Sequence, residues 1–281
     1  MTEATIASLH VYPVKGCRGL SPLSATVAVT GLVVDGVGDR EWMVVDRDGR
    51  FLTQREMPRM ALVGTAVAAG ALELSVPSTT PLRVPLAFPG ASTRDVVVWR
   101  SAVRGLDMGD VAAGWLSAWL AADVRLVRFD RSDVRACNPE FVGDSGAHTL
   151  FADGYPVLVI GESSLSDLNG RLAARGHAAL PMNRFRPNVV LRGLPPYAED
   201  HLDTITAGDV VLKCVKPCVR CQVTTTDQES AQVGPEPLLS LGEYRMNEHL
   251  GGVTFGINAV VVAGTGSTLT QDAGASASYR F

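Results

Sequence analysis

Through its first hundred residues the chain breaks into short apolar runs divided by Gly, Pro, Ser and Asp, and this rhythm limits the fold more than any other feature. "ATIASLHVYPV" alternates and stops at Pro13, and "REWMVVDRDGRFLTQ" sets Asp48-Gly49 between two apolar arms, a hairpin signal. "MALVGTAVAA", "ALELSVP", "LRVPL" and "DVVVW" follow at close spacing, which suits a small barrel or curled sheet. The period then changes. In "MGDVAAGWLSAWLAAD", Val111, Trp115, Leu116, Trp119 and Leu120 share one helical face behind Asp110 as N-cap, so a helix packed on the sheet is expected. Residues 130–146 show no period and read as a long connection. Beyond them "YPVLVIG", "NVVLRG", "DVVLKCV" and "GINAVVVAG" read as strands, and "ESSLSDLNGRLAAR", capped near Glu162 or Ser163, and "EPLLSLGEYRMNEHL" as helices. Strand and helix alternate too seldom for a doubly wound parallel sheet. The expected class is α+β, mainly β: two β-rich domains, 1–125 and 126–281, with a few peripheral helices.

At 281 residues and 46% hydrophobic the chain can bury a sizeable core. A net charge of −4 and a pI near 5.7 argue against a surface built for nucleic acid, so any anion site must be local. Met1 to Gly16 lacks the pattern of a secretory leader, and no apolar run reaches membrane-spanning length. A soluble, cytoplasmic protein without nucleic-acid or membrane partners is expected.

Five cysteines is an odd count, and Cys214, Cys218 and Cys221 crowd together while Cys17 and Cys137 stand apart, which disfavours a disulfide framework. "KPCVRCQVTTTD" holds a Cys-x-x-Cys pair in a basic, proline-marked turn. Zinc would need a second pair, and only the distant His201 and His249 are on offer. A thioredoxin-type dithiol would need a helix start, whereas "QVTTT" follows Cys221. In the third reading one thiolate at a strand end ligates a soft metal, with Lys213, Lys216 and Arg220 favouring the ionised sulfur and Pro217 stiffening the turn. Cys137 and Cys214 read as small buried hydrophobes.

Several short stretches suit an anion. "YPVKGCRGLS" places Lys15 and Arg18 among glycines just after a strand, where backbone N–H groups can meet a phosphate or pterin edge. Arg40 stands at a strand entrance, Arg184 and Arg186 flank Phe185, and Asp153-Gly154 forms a loop before an apolar strand.

Taken in order, "LHVYPVKGCRGLS", "GDREWMVVDRDGRFLTQREMPRMALV", "FADGYPVLVIGESSLSDLNGRL", "NRFRPNVVLRG" and "YAEDHLDTITAGDVVLKCVKPCVRCQVTTTD" resemble the MOSC family, in the branch that joins an N-terminal β-barrel domain to a MOSC β-barrel domain: the amidoxime-reducing components and their bacterial relatives. The resemblance runs from about His10 to Asn258. It implies a molybdenum cofactor enzyme that reduces N-oxygenated compounds, with Cys221 as both catalytic residue and the single protein ligand of molybdenum, and Cys218 as a structural neighbour. It assigns cofactor contacts to Lys15, Gly16, Arg40, Asp153, Gly154, Tyr155, Asn183 or Arg184, and Arg186, with Val219 and Asn258 beside the metal. Pyridoxal phosphate binding comes with the family as a further ligand association. Some relatives have serine at the Val219 position, the mitochondrial members have hydroxyl residues at Gly16 and Gly154, and a tyrosine replaces Asn258 there.

The implied reaction transfers oxygen from an N–OH or N-oxide group to the reduced cofactor. The two electrons must come from a separate ferredoxin, flavoprotein or cytochrome, because the tail has no four-cysteine cluster pattern and "AGTGST" does not complete a dinucleotide-binding motif. Asp227 and His148 are the candidate proton donors. The rival expectations are a sulfur carrier holding a persulfide on Cys221, and a cofactor-binding protein without turnover.

Overall fold

The structure is a computed structural model that describes residues 1–280. Seven strands close a barrel in the order Val157–Gly161, Val189–Arg192, Thr2–Leu9, Gly274–Tyr279, Leu202–Ala207, Val210–Val219 and Gly252–Ala263, and the last pairs back onto the first. Val157–Gly161 and Val189–Arg192 run parallel, joined through helix Glu162–Ala174. The other barrel pairings are antiparallel. Alternation explains the interior: Val210, Leu212 and Cys214 point inward along one strand and meet Ile6, Leu9, Val159, Leu191 and Ile257. Helix Glu162–Ala174 covers the outside with Leu168 and Leu172, packed on Phe185 and Phe255, whose rings stack at 4.3 Å.

Strand Thr2–Leu9 was expected among the first hundred residues' own sheet, yet it fills the gap between Val189–Arg192 and Gly274–Tyr279. Alternation specifies that a strand exists and which face it buries, but not its partner. The expected boundary after residue 125 likewise falls inside strand Val124–Phe129, whose partners, Trp42–Asp46 and Ser101–Asp107, lie in the N-terminal half.

That half is a half-barrel of curled sheets. Trp42–Asp46, Val124–Phe129, Ser101–Asp107 and Thr93–Val98 form one, and Gly64–Ala68, Ala71–Ser75 and Leu82–Pro85 another. Helix Gly109–Leu120 closes over them with Ala112, Leu116 and Leu120 against Val44, Leu72 and Leu74. Its start is held by Asp107, which accepts from Gly109 N, rather than by Asp110, which pairs with Arg125. Leu116 and Leu120 are buried as the sequence pattern suggests, but Val111 is 78% exposed and Ala112 and Ala113 complete the buried face instead. The segment expected as a long helix near residue 240 is helical only over Leu238–Gly242 and then turns into strand Met246–Asn247. Within 130–147, Asn138 caps a short helix, Pro139–Val142, and Arg135–Ala136 pairs with His148–Thr149.

Candidate active site

The two cysteines straddle the end of a strand rather than sit on a turn. Strand Val210–Val219 runs through Pro217, which is accommodated because the pairing with Gly252–Ala263 shifts register on both sides of it. Cys218 therefore lies in the strand, and Cys221 is extended just beyond it, ahead of the 3-10 turn Gln222–Thr225. Thr224 ties that turn down by donating to the Cys221 carbonyl from its N–H (3.1 Å) and its hydroxyl (3.0 Å). Below, buried Arg184 donates to the carbonyls of Thr224, Thr225 and Glu236 and pairs with Asp227 at 3.1 Å.

Cys221 is a half-buried free thiol in the wall of a cleft between the two halves. Cys218 shares that wall, with its sulfur 3.0 Å from Arg220 Nη1, while Arg220 Nη2 is held by the Phe185 carbonyl. The other three cysteines are different: burial pushes the Cys17 and Cys214 thiols up to about 12 and the Cys137 thiol up to about 11. They remain neutral thiols at ordinary pH, packed as hydrophobes.

Cations from both halves face the cysteines across the cleft. Lys15 Nζ donates to the Phe151 carbonyl at 2.9 Å and to Asp153 Oδ1 at 2.5 Å. Burial lowers the Lys15 pKa, and Asp153 opposes that effect. Trp99 Nε1 donates to the same Asp153 oxygen at 3.1 Å. Arg40 pairs with Asp39 at 2.5 Å and reaches Asn188 and the Arg186 carbonyl. The guanidinium groups of Arg40 and Arg186 lie 4.4 and 4.2 Å from the centre of the Tyr12 ring. Arg186 is 8% exposed, and among the described residues its Nη2 has no hydrogen-bond partner. Burial, followed by repulsion from Arg40, lowers its pKa. A buried, unpaired guanidinium is costly alone and well suited to a bound anion.

Two matches place this geometry among known proteins. The MOSC N-terminal beta barrel domain matches residues 3–123, and the MOSC domain matches residues 147–270. Mitochondrial amidoxime reducing component 2 of Bos taurus is 33% identical over 247 residues, covering 86% of this chain and 72% of that protein. Mitochondrial amidoxime-reducing component 1 of Homo sapiens is 34% identical over 247 residues, with the same two coverages. The chain belongs to the MOSC family.

In this MOSC protein the cleft brings together Lys15, Gly16, Arg40, Asp153, Gly154, Tyr155, Arg186, Val219, Cys221 and Asn258. Gly16 has φ +82°, a conformation that favours glycine, and a Cβ there would meet the flexible end of the Met60 side chain at 2.9 Å. Gly154 has open space around it. Asn258 donates to the Lys216 carbonyl at 3.1 Å. Burial pushes the Tyr155 hydroxyl up to about 12, so it stays protonated at neutral pH.

Asn183 and Arg184 do not line the cleft: Asn183 is exposed in the 3-10 turn Met182–Arg184, and the Arg184 guanidinium is used on carbonyls and Asp227. Asp227 caps its own turn, accepting from the N–H groups of Glu229 and Ser230, and His148 contacts Gly146; neither lines the cleft. His201 and His249 do not join the cysteines, and no group of three or more His, Cys, Asp or Glu side chains suited to a metal occurs among the described residues. The paired clusters that a structural zinc site needs are thus not assembled among the described residues. Sequence reading missed Trp99, Arg55, Gln54 and Asn188 in the lining. It also missed Arg135, whose guanidinium holds the carbonyls of Leu150, Ala152 and Asp153 from within the segment read as a featureless loop. Among the described residues no helix is long and apolar enough to cross a membrane.

Proposed function

We propose that this MOSC protein reduces N-hydroxylated and related N-oxygenated compounds with a molybdenum cofactor held at Cys221, using electrons from a separate redox protein. The observation that carries the reading is the meeting, in one cleft, of a free strand-end thiol with the buried, unpaired Arg186. The donor set fits the cofactor: one soft sulfur for the metal, and Lys15, Arg40 and Arg186 for the pterin and its phosphate. When bound, the cofactor supplies two-electron oxygen abstraction from the substrate N–O bond.

The chain's own residues bind and orient. Arg184 and Thr224 fix the turn that presents Cys221, and Asp153 keeps the Lys15 ammonium in place at the cleft floor. Tyr155 Oη offers a protonated hydroxyl to the ligand. The stoichiometry is N–OH plus two electrons and two protons giving N–H and water. Lys15, the one lysine of the lining, is bonded to the Phe151 carbonyl and Asp153, and we place it as an anion contact rather than as the partner of a pyridoxal phosphate aldehyde. The relatives' names support amidoximes as the substrate class. A cytoplasmic setting and a ferredoxin, flavoprotein or cytochrome donor belong to the same proposal.

Molybdenum-loaded protein is expected to convert benzamidoxime to benzamidine under nitrogen with reduced methyl viologen, and not with NADH alone. Turnover from NADH without a partner would remove the separate donor, and no turnover from either donor would remove the reductase assignment.

A further inference from the structure

One cation of the cleft wall has no task in the proposed chemistry. Arg55 lies with its guanidinium 4.8 Å from the centre of the Trp99 ring. Its Nε donates to Thr53 Oγ1 at 3.2 Å, and its closest carboxylate is Glu56, 3.9 Å from the same Nε. That contact is long and reaches Glu56 Oε1, while Glu56 Oε2 accepts from the Thr53 N–H and from its hydroxyl. Among the described residues the two Nη atoms, the fork that binds a carboxylate bidentately, have no partner. Asp153, the acidic residue of the lining, is held by Lys15 and Trp99.

The platform under this fork is built at a conformational cost. Trp99 occupies the tip between Thr93–Val98 and Ser101–Asp107 with φ +56°, a left-handed conformation unfavourable for a bulky side chain. Its ring is packed 5.1 Å from Phe51 and anchored by the Nε1 bond to Asp153, yet the residue stays 42% exposed. Stacking on an indole fixes the plane of a guanidinium and leaves its edge free, which pre-organises the edge for a planar anion.

We propose that Arg55, carried on Trp99, is a specificity-determining residue that receives a carboxylate on the substrate. The preferred substrates are then N-oxygenated compounds bearing a carboxylate, with Trp99 as the positioning residue for Arg55. The assignment rests on the reductase reading above but is tested separately from it.

The test compares 4-carboxybenzamidoxime with benzamidoxime in two ways: by calorimetric titration of the protein without electron donor, and by turnover with reduced methyl viologen. Wild type is expected to bind the carboxylated compound about 10-fold more tightly. In R55Q the ratio of the two affinities, and of the two kcat/KM values, is expected to fall about 10-fold, mostly through KM. W99F, which keeps the ring and loses the N–H, is expected to keep the ratio, and W99L to lose it. Equal affinities in wild type, an unchanged ratio in R55Q, or loss of molybdenum from R55Q, which would assign Arg55 to the cofactor, overturns the proposal. If wild type turns over neither compound, the reductase reading fails while the titrations still decide the role of Arg55.

Discussion

Arg184 and Arg186 stand two positions apart, are equally buried, and do opposite things. Arg184 is saturated by three carbonyls and Asp227. Arg186 has an unpaired Nη2 and faces the cleft. Arg184→Met is therefore expected to cost about 3 kcal/mol, read from the denaturant midpoint, because it strands buried acceptors. Arg186→Leu is expected to leave the unliganded protein as stable as wild type, or about 1 kcal/mol more so, and to abolish the rise in Tm produced by added pyrophosphate. Sequence alone could not separate the two, since the difference lies in carbonyls some forty residues downstream. Cys221 and the Lys15 turn, singled out from local sequence, do stand in the cleft wall. His10 gives a pH signature at the same scale. Bonded to Ser8 and Ser21, it is held by burial at a pKa of about 4, down from 6.5. The unfolded chain takes up a proton that the folded chain refuses, so this contribution is full above pH 6.5 and is lost as pH falls towards 4. The Tm of His10→Gln is expected to fall less than that of wild type across this window; parallel curves would contradict the assignment.

At the scale of elements, most strands and the helices Gly109–Leu120 and Glu162–Ala174 could be read from periodicity, because each buries one face. The failures share a cause. "EPLLSLGEYRMNEHL" has helical composition, but pairing of Met246–Asn247 with Gly252–Ala263 overrides it after a single turn of helix. Thr2–Leu9 is an unmistakable strand whose partners lie nearly two hundred residues or more away. Its position makes a sharp prediction. A fragment starting at Asp130 carries the whole MOSC match but lacks one barrel strand, and so opens the edges of Val189–Arg192 and Gly274–Tyr279. Such a fragment is expected to show no cooperative thermal transition by circular dichroism where the full chain does. A cooperative transition in the fragment would mean that the barrel closes without the strand.

For the molecule as a whole, an acidic chain of net charge −4 sets five cations, Lys15, Arg40, Arg55, Arg186 and Arg220, around one cleft at the junction of its halves. Cross-links fix that junction: Lys15 with Asp153, Arg40 with Asn188, and the buried pair Gln54 and Gln228, joined through both amides. Arg18 adds bonds to Glu229 and to the Gln228 carbonyl. The cleft thus depends on both matched regions, and its ligand is expected to stabilise them together. The central claim is that Cys221 binds molybdenum in that cleft, and it is tested most directly by metal analysis of anaerobically purified wild type and Cys221→Ala. Near-stoichiometric molybdenum in wild type and its loss in the variant, with the circular dichroism spectrum unchanged, is the predicted result. Equal molybdenum in both proteins, or sulfane sulfur without molybdenum in wild type, would contradict it.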